Sequence, residues 1–411
     1  MKKVFFKTFG CRTNLFDTQV MIANLGPWET TEAEGEADAI VINSCTVTNA
    51  ADSGVRAYIS RLRRENPAIK IFFTGCGVAT QGRVLLHEGR IDGLFGHSEK
   101  ERIETFLAAP EPFEIPGNLT HIDTTLIERF EGKHRAFIKI QEGCDFACSY
   151  CIIPSVRGRA RSLGEKLILD QIRLLCDQGY EEFVLTGTNM GSYGRDRGEN
   201  LAKLVAQIGQ VSGVKRLRLG SLEPVQVDEP LIELLNAPFM ARHLHVALQH
   251  TSDAMLEKMN RRNRFESDRR LLERLSGLGY ALGTDYIVGF PGENEAIFEE
   301  ALANLKTLPL THIHLFPYSP REGTPAAMLK QDVPGNVAAA RREKIAQAVE
   351  NKRREFYARL KTPLAVLIEN ENGGLDQYFS RIQIQSDRPL SGWVTLENWH
   401  IDEAGKIEGR L

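Results

Sequence analysis

Three of the seven cysteines lie on one short stretch, "GCDFACSYCIIP", in which Cys144, Cys148 and Cys151 are spaced CxxxCxxC directly after a predicted strand. Three thiolates on one loop can hold three irons of a cubane 4Fe-4S cluster and leave the fourth iron without a protein ligand, open to a chelating small molecule. The competing chemistry is structural zinc, which needs four ligands, and no histidine or cysteine follows at finger-like spacing. An odd cysteine count also favours ligands or buried thiols over a disulfide framework.

Cys11, Cys45 and Cys76 are far apart in sequence, yet each stands directly after one of three predicted strands, 3–9, 39–44 and 70–75. If those strands are parallel, the three thiols leave the sheet at its carboxyl edge, where open α/β sheets build their sites. There they either converge on a second 4Fe-4S cluster or remain separate buried thiols. Cys176, within "LILDQIRLLCDQGY", falls among apolar helix positions and reads as a core thiol.

The elements that must position these groups follow from hydrophobic period. A chain of 411 residues is expected to form two or three domains. Residues 1–107 alternate strand-like and amphipathic runs, the pattern of an open parallel α/β sheet. Residues 108–130, rich in proline at first, read as a linker. Within 131–360, six strand-like runs (135–141, 181–186, 215–220, 243–248, 282–289 and 312–317) are each followed by polar or glycine-rich sequence. This describes an incomplete (β/α)6 barrel with ligands at its carboxyl end. Residues 361–411 carry short strands between Asn-Gly-Gly and proline turns, a small all-β barrel.

The net charge of −3 excludes chain-wide attraction to nucleic acid, so any RNA site must be local. The basic runs 56–64, 157–161, 258–270 and 341–360 are either solvated helix faces or parts of such a site. The first apolar run stops at Lys7, and no later stretch approaches ~18 apolar residues. A cytoplasmic protein with no membrane partner is expected, and nothing suggests an obligate interface, so a monomer is expected too.

Around Cys144–Cys151 the sequence resembles the radical S-adenosylmethionine superfamily, whose CxxxCx-aromatic-C signature is completed by Tyr150. With both cysteine sets the resemblance spans nearly the whole chain and narrows to the methylthiotransferases. It runs through "FGCRTNLFDTQVM" (9–21), "INSCTVTNAAD" (42–52), "TGC" (74–76), "LTGTNMGSYG" (185–194), "LQHTSDAMLEKMNRR" (248–262), "DYIVGFPGE" (285–293) and "FPYSPREGTPAA" (316–327). The resemblance implies an enzyme with two 4Fe-4S clusters, one of which binds and reductively cleaves S-adenosylmethionine with electrons from an external donor. A methylthio group then enters an unactivated C–H bond. The stretch after Cys45 looks like the branch that acts on N6-threonylcarbamoyladenosine at position 37 of the tRNA anticodon loop. The alternatives are isopentenyladenosine in tRNA, a ribosomal-protein aspartate, or, in a different class, an RNA-binding protein that uses its clusters as redox sensors. A sensing cluster is usually held by four protein ligands, against the three-thiolate loop here.

Residue by residue, the resemblance implies that Cys144, Cys148 and Cys151 ligate the radical cluster and Cys11, Cys45 and Cys76 the second one. Tyr150 would lie against the adenine; Gly187, Thr188 and Asn189 would meet the methionine amino group; Gln249 would stand near the ribose. Gly289 and Gly292 fall at the fifth strand end, Phe316 and Tyr318 at the sixth. The bland alternatives are turn glycines and a barrel-core phenylalanine. Arg157, Arg159 and Arg161 resemble a basic stretch that would meet methionine carboxylate or tRNA phosphate, or only pair with acidic neighbours. His250 and Thr251 depart from the small residues usual in the family. The last fifty residues take the place of an RNA-binding TRAM domain, but carry a net charge of −3 and offer mainly Tyr378, Phe379, Trp393 and Trp399 for shaping a site. Chemistry on an adenine ring carbon requires that base to be turned out of its stack into the cavity.

Overall fold

The computed structural model describes residues 1–130 and 134–411, so the barrel-domain start expected at residue 131 lies outside the described residues. The first sheet comprises the strands β1 (Lys3–Thr8), β2 (Glu29–Thr30), β3 (Ala39–Ser44), β4 (Lys70–Gly75), β5 (Gly93–Phe95) and β6 (Phe113–Ile115), of which the central β3, β4 and β5 are apolar runs buried on both faces. Such runs are the mark of a parallel sheet covered by helices. The sheet order is β2-β1-β3-β4-β5-β6, with parallel pairs throughout. Strand β6 lies inside the interval read as a linker, and Ile127 and Phe130, further along it, are buried in the core of the next domain.

Two helices bear on the thiols. The helix α1 (Arg12–Ala23) starts directly after Cys11, and α2 (Asn49–Glu65) follows Cys45. Helix α2 begins where the Thr48 hydroxyl accepts the Ala51 amide at 3.1 Å, and it buries Val55, Ile59 and Leu62, one face at helical spacing.

The strands β7 (Ala136–Glu142), β8 (Arg161–Ser162), β9 (Glu182–Gly187), β10 (Arg216–Leu219), β11 (Ser221–Leu222), β12 (His243–Val246), β13 (Ala281–Val288) and β14 (Leu310–Pro317) build the central domain. Parallel ladders run β7-β9-β10 and β11-β12-β13-β14, while β8 folds back antiparallel on β7. The incomplete barrel is therefore present, with its third stave broken at Gly220. Along β13, Leu282, Tyr286 and Val288 join the core under the helices, whereas Gly283 and Asp285, on the lumen face, meet His243, His245 and His314 of the adjacent strands. This alternation is the period-two signature of a strand. Helix α1 belongs to the first domain yet sends Phe16 and Val20 into the barrel core, so it closes part of the open side.

The long helix Gly335–Arg359 leads to β15 (Leu364–Asn370), β16 (Gly373–Leu375), β17 (Arg381–Gln385), β18 (Trp393–Leu396), β19 (Trp399–Ile401) and β20 (Ile407–Arg410). These pair in the order β18-β15-β16-β17-β20-β19, antiparallel apart from β17 with β20. The small barrel expected from sequence is a curled half-barrel, since β18 and β19 form its two free edges among the described residues. Its aromatic residues mostly face protein: Tyr378 and Trp399 surround Tyr357, and Trp393 covers the Arg216 guanidinium at 4.3 Å while donating to Glu181 at 2.7 Å. Phe379 differs. Held at φ +70°, it stacks on the lumen residue His243 at 4.7 Å. No helix among the described residues is long and apolar enough to cross a membrane.

Candidate active site

Strand β7 gives way to Gly143, where φ is +74° and a Cβ would stand 2.0 Å from the Arg159 carbonyl, so only glycine fits. The loop that follows carries Cys144, Cys148 and Cys151 and is held from the segment after β12. Ser149 donates its amide to Met259 O at 2.9 Å and its hydroxyl to Lys258 O at 2.8 Å, and Asn260 donates to Ala147 O at 2.7 Å. Three donors already face the sulfurs: the Phe146 amide and Asn189 Nδ2 each lie 3.4 Å from Cys144, and Arg261 lies 3.6 Å from Cys148. Burial first, then neighbouring thiols, pushes the Cys144 thiol up and Cys151 up to about 12. The bare Cys144 and Cys151 thiols are therefore protonated at neutral pH, and iron binding there must release protons.

The sequence-distant cysteines meet at one sheet edge. Ser44 pairs with Gly75, so Cys45 and Cys76 leave adjacent strands together. Asn14 ties Phe9 O and Ser44 O at 2.8 and 3.0 Å, which brings the end of β1 beside the end of β3. Gly10, at φ +99°, lies so close that a Cβ there would fall 2.9 Å from the Cys45 sulfur. Cys45 and Cys76 are buried and Cys11 is exposed, and all seven thiols of the chain are free. Donors aimed at sulfur, from Asn189, Arg261 and Arg157, suit the negative charge of a thiolate-bound cluster.

The two thiol sets are neighbours. Ile152 and Val156, just past Cys151, form an apolar cluster with Cys76. Arg157, 1% exposed, places Nε 3.3 Å from the Cys76 sulfur, pairs with Glu142 at 2.5 Å and Asp17 at 2.9 Å, and donates to Asn14 at 2.5 Å. Lys100 and Lys139 complete the network on Asp17 and Asp123. The phosphate or carboxylate contact expected of Arg157 is thus replaced by four protein partners. Arg161 is likewise turned inward, toward Glu142 at 3.3 Å and the His121 carbonyl at 2.7 Å. Arg159 stays out, its side chain 90% exposed with Asp145 at 3.1 Å. With Asn189, Arg195 and Arg262 it lines a cavity of about 470 Å³ at the loop.

The other expected residues separate into two groups. Thr188 Oγ1 and Asn189 Oδ1 are buried beside the cysteine loop with no hydrogen-bond partner, at a cost of about 1–3 kcal/mol each that a polar ligand would relieve. Tyr150 packs with Met255, Met259, Ile287, Phe290 and Tyr318, an apolar box suited to one face of a flat ring. Gln249 holds φ +68°, a strained backbone for a side-chain-bearing residue. These features fit S-adenosylmethionine. Gly187 has a nearer reason than a ligand, because a Cβ would crowd Gln141 O at 3.0 Å. Gly289 and Gly292, at φ +77° and +85°, shape the turn after β13. Phe316 is 40% exposed rather than core. His250, fully buried, accepts the Ser252 amide at 3.0 Å through Nδ1, which leaves Nε2 to donate to Glu293 at 3.2 Å, and Thr251 donates to Ala301 O at 2.7 Å. Both support the β12 loop from behind.

Arg261 and its train of partners went unnoticed in sequence, although the run 258–270 contains all of them but Glu223. Arg261 pairs with Glu223 at 2.5 Å and reaches Asn263, which donates to Asp268 at 2.6 Å. Burial pushes the Asp268 carboxyl up to about 7. Unfolded, it ionises near 3.9, so between about pH 4 and 7 the folded state holds a proton that the unfolded state has lost, and stability falls as pH rises. Asp268→Asn is expected to flatten that slope and to be roughly 2–4 kcal/mol more stable than wild type at pH 8, but not at pH 4, in denaturant titrations.

Residues 3–96 match the model of the uncharacterized protein family UPF0004, and residues 138–305 that of the radical SAM superfamily. A Helicobacter pylori protein provisionally named a methylthiotransferase is 52% identical over 98% of both chains. The threonylcarbamoyladenosine tRNA methylthiotransferase MtaB of Aquifex aeolicus is 34% identical over 96% of this chain and 99% of its own. The tRNA-2-methylthio-N(6)-dimethylallyladenosine synthase of Oceanobacillus iheyensis is 33% identical over 90% and 75%. Among solved structures, the radical S-adenosylmethionine methyltransferase TsrM of Kitasatospora setae aligns at a TM-score of 0.61 and 18% identity, over 80% of this chain and 77% of that one, a likeness of fold. With both domain models matched in order and relatives aligned almost end to end, the chain belongs to the radical S-adenosylmethionine methylthiotransferases, an enzyme family that uses a 4Fe-4S cluster and S-adenosylmethionine.

Proposed function

We propose that this enzyme converts N6-threonylcarbamoyladenosine at position 37 of tRNA to its 2-methylthio derivative. Cys144, Cys148 and Cys151 hold the radical cluster, and Cys11, Cys45 and Cys76 hold a second one. When bound, the first cluster with S-adenosylmethionine supplies a 5′-deoxyadenosyl radical and the second the site of sulfur delivery. The chain's own part is placement. Tyr150 and its apolar box take the adenine, the orphaned polar atoms of Thr188 and Asn189 take the methionine end, and the helix α1 and the barrel staves wall the lumen. Arg159, with Arg195 and Arg262 beside it, meets phosphate at the rim.

The carrying observation is that the segment just past Cys151 packs on the second thiol set, with Arg157 Nε at 3.3 Å from the Cys76 sulfur and Ile152 against the same residue. Two clusters side by side at the mouth of one barrel suit a reaction in which the carbon activated at one receives sulfur at the other. The choice of the threonylcarbamoyl substrate draws on the MtaB relative and on the residues after Cys45. The test is nucleoside mass spectrometry of tRNA from a deletion strain and its complement. Loss of the 2-methylthio derivative with accumulation of its precursor is expected. Unchanged tRNA with an altered ribosomal aspartate, or loss of the isopentenyl derivative instead, overturns the substrate.

A further inference from the structure

Arg12 follows Cys11 at the start of α1 and reaches into the barrel lumen, where its guanidinium lies 5.2 Å from the Phe379 ring. Among the described residues it has no hydrogen bond and no ion pair. The groups that bear most on its charge are Arg135, Arg218, the neighbouring Cys11 and Asp285. Two of these are cations, and the nearby acids are already taken. Glu182 pairs with Arg218 at 2.5 Å, Glu369 with Arg135 at 2.6 Å, and one Asp285 oxygen lies 3.2 Å from both His245 and His314. A guanidinium sheltered from water beside two like charges is unfavourable unless an anion joins it. The lumen is open to such a guest, because its wall residues His314 and Phe316 are 57% and 40% exposed and Cys11 is exposed.

We propose that Arg12 binds the carboxylate of the substrate's N6-threonylcarbamoyl group, with Phe379 beneath it and the His245–His314 pair flanking the side chain, and so sets the substrate preference. This rests on the substrate reading above. The planar fork of an arginine matches a carboxylate with two parallel hydrogen bonds, which gives geometry as well as charge. A dimethylallyl group offers nothing to pair with Arg12 and would leave its charge uncompensated. The position also joins specificity to chemistry, since the residue that would grip the side chain is next in sequence to Cys11.

The experiment uses reconstituted enzyme and synthetic anticodon stem-loops bearing N6-threonylcarbamoyladenosine, its carboxylate methyl ester, or N6-dimethylallyladenosine. Affinity is read by fluorescence anisotropy and methylthiolation by single turnover. Wild type is expected to favour the acid over the ester by about 10–100-fold, the worth of a charged hydrogen bond. Arg12→Gln removes that preference by weakening the acid to the level of the ester, with the ester within about twofold of wild type and the iron-sulfur absorbance unchanged. Arg12→Lys keeps the charge without the fork and falls between. Equal losses on acid and ester, a loss of cluster absorbance in both variants, or a wild type blind to the ester each overturns the proposal. A wild type that modifies only the dimethylallyl stem-loop instead sinks the substrate reading itself, a result the acid–ester comparison does not imitate.

Discussion

Cys148→Ala is expected to abolish reductive cleavage of S-adenosylmethionine, while Cys45→Ala leaves cleavage intact and stops sulfur insertion. The thiols belong to different structural units. Cys148 sits on the loop pinned to Lys258–Asn260, with Arg261 aimed at its sulfur, and Cys45 sits at the edge of the other domain's sheet, behind Gly10. Removing a ligand should exceed the roughly 10–100-fold cost of losing an outer partner of a metal site. The measurement is anaerobic incubation with dithionite and S-adenosylmethionine, followed by chromatography for 5′-deoxyadenosine and mass spectrometry of the RNA. Equal loss of cleavage in both variants would mean that the two sets do not have separate roles.

The second large effect is expected at the junction. Arg157→Ala should destabilise the protein by about 3–5 kcal/mol, because it strips one cation from a buried network and leaves Asp17, Glu142 and Asn14 short of a partner. That is a sizeable share of the stability of an ordinary domain. The damage should also reach the second cluster proposed at Cys11, Cys45 and Cys76, since Arg157 donates to Cys76 and Asp17 and Asn14 belong to the helix that starts after Cys11. Iron content per chain should fall below that of wild type, with the loss read against denaturant midpoints. Arg159→Ala provides the contrast: its exposed side chain should change stability by less than about 0.5 kcal/mol while weakening RNA binding and its salt dependence. An Arg157→Ala protein with unchanged midpoint and iron would show that the network is dispensable.

The adjacent roles of Arg157 and Arg159 illustrate how far sequence reading extends. The run "RGRAR" looks like three equivalent cations, and nothing in its spacing separates them. In the folded chain the middle one faces solvent and the outer two face acids. Phe379 shows the same thing in the half-barrel. It was one of four aromatic candidates, and a left-handed backbone at that residue sends it under the lumen while the other three meet protein.

By itself the sequence determined the two cysteine sets, their places after strands, and the order of sheet, partial barrel and β-rich end. These are local properties, since a period of two, a CxxxCxxC spacing and a breaker after a strand are each written within a few consecutive residues. Only the tertiary structure decided which charges meet. Arg157 finds its partners 15, 81, 140 and 143 residues away, and Arg12 finds no hydrogen-bond or ion-pair partner among the described residues, because pairing in a core depends on how distant segments pack and which charges water no longer reaches.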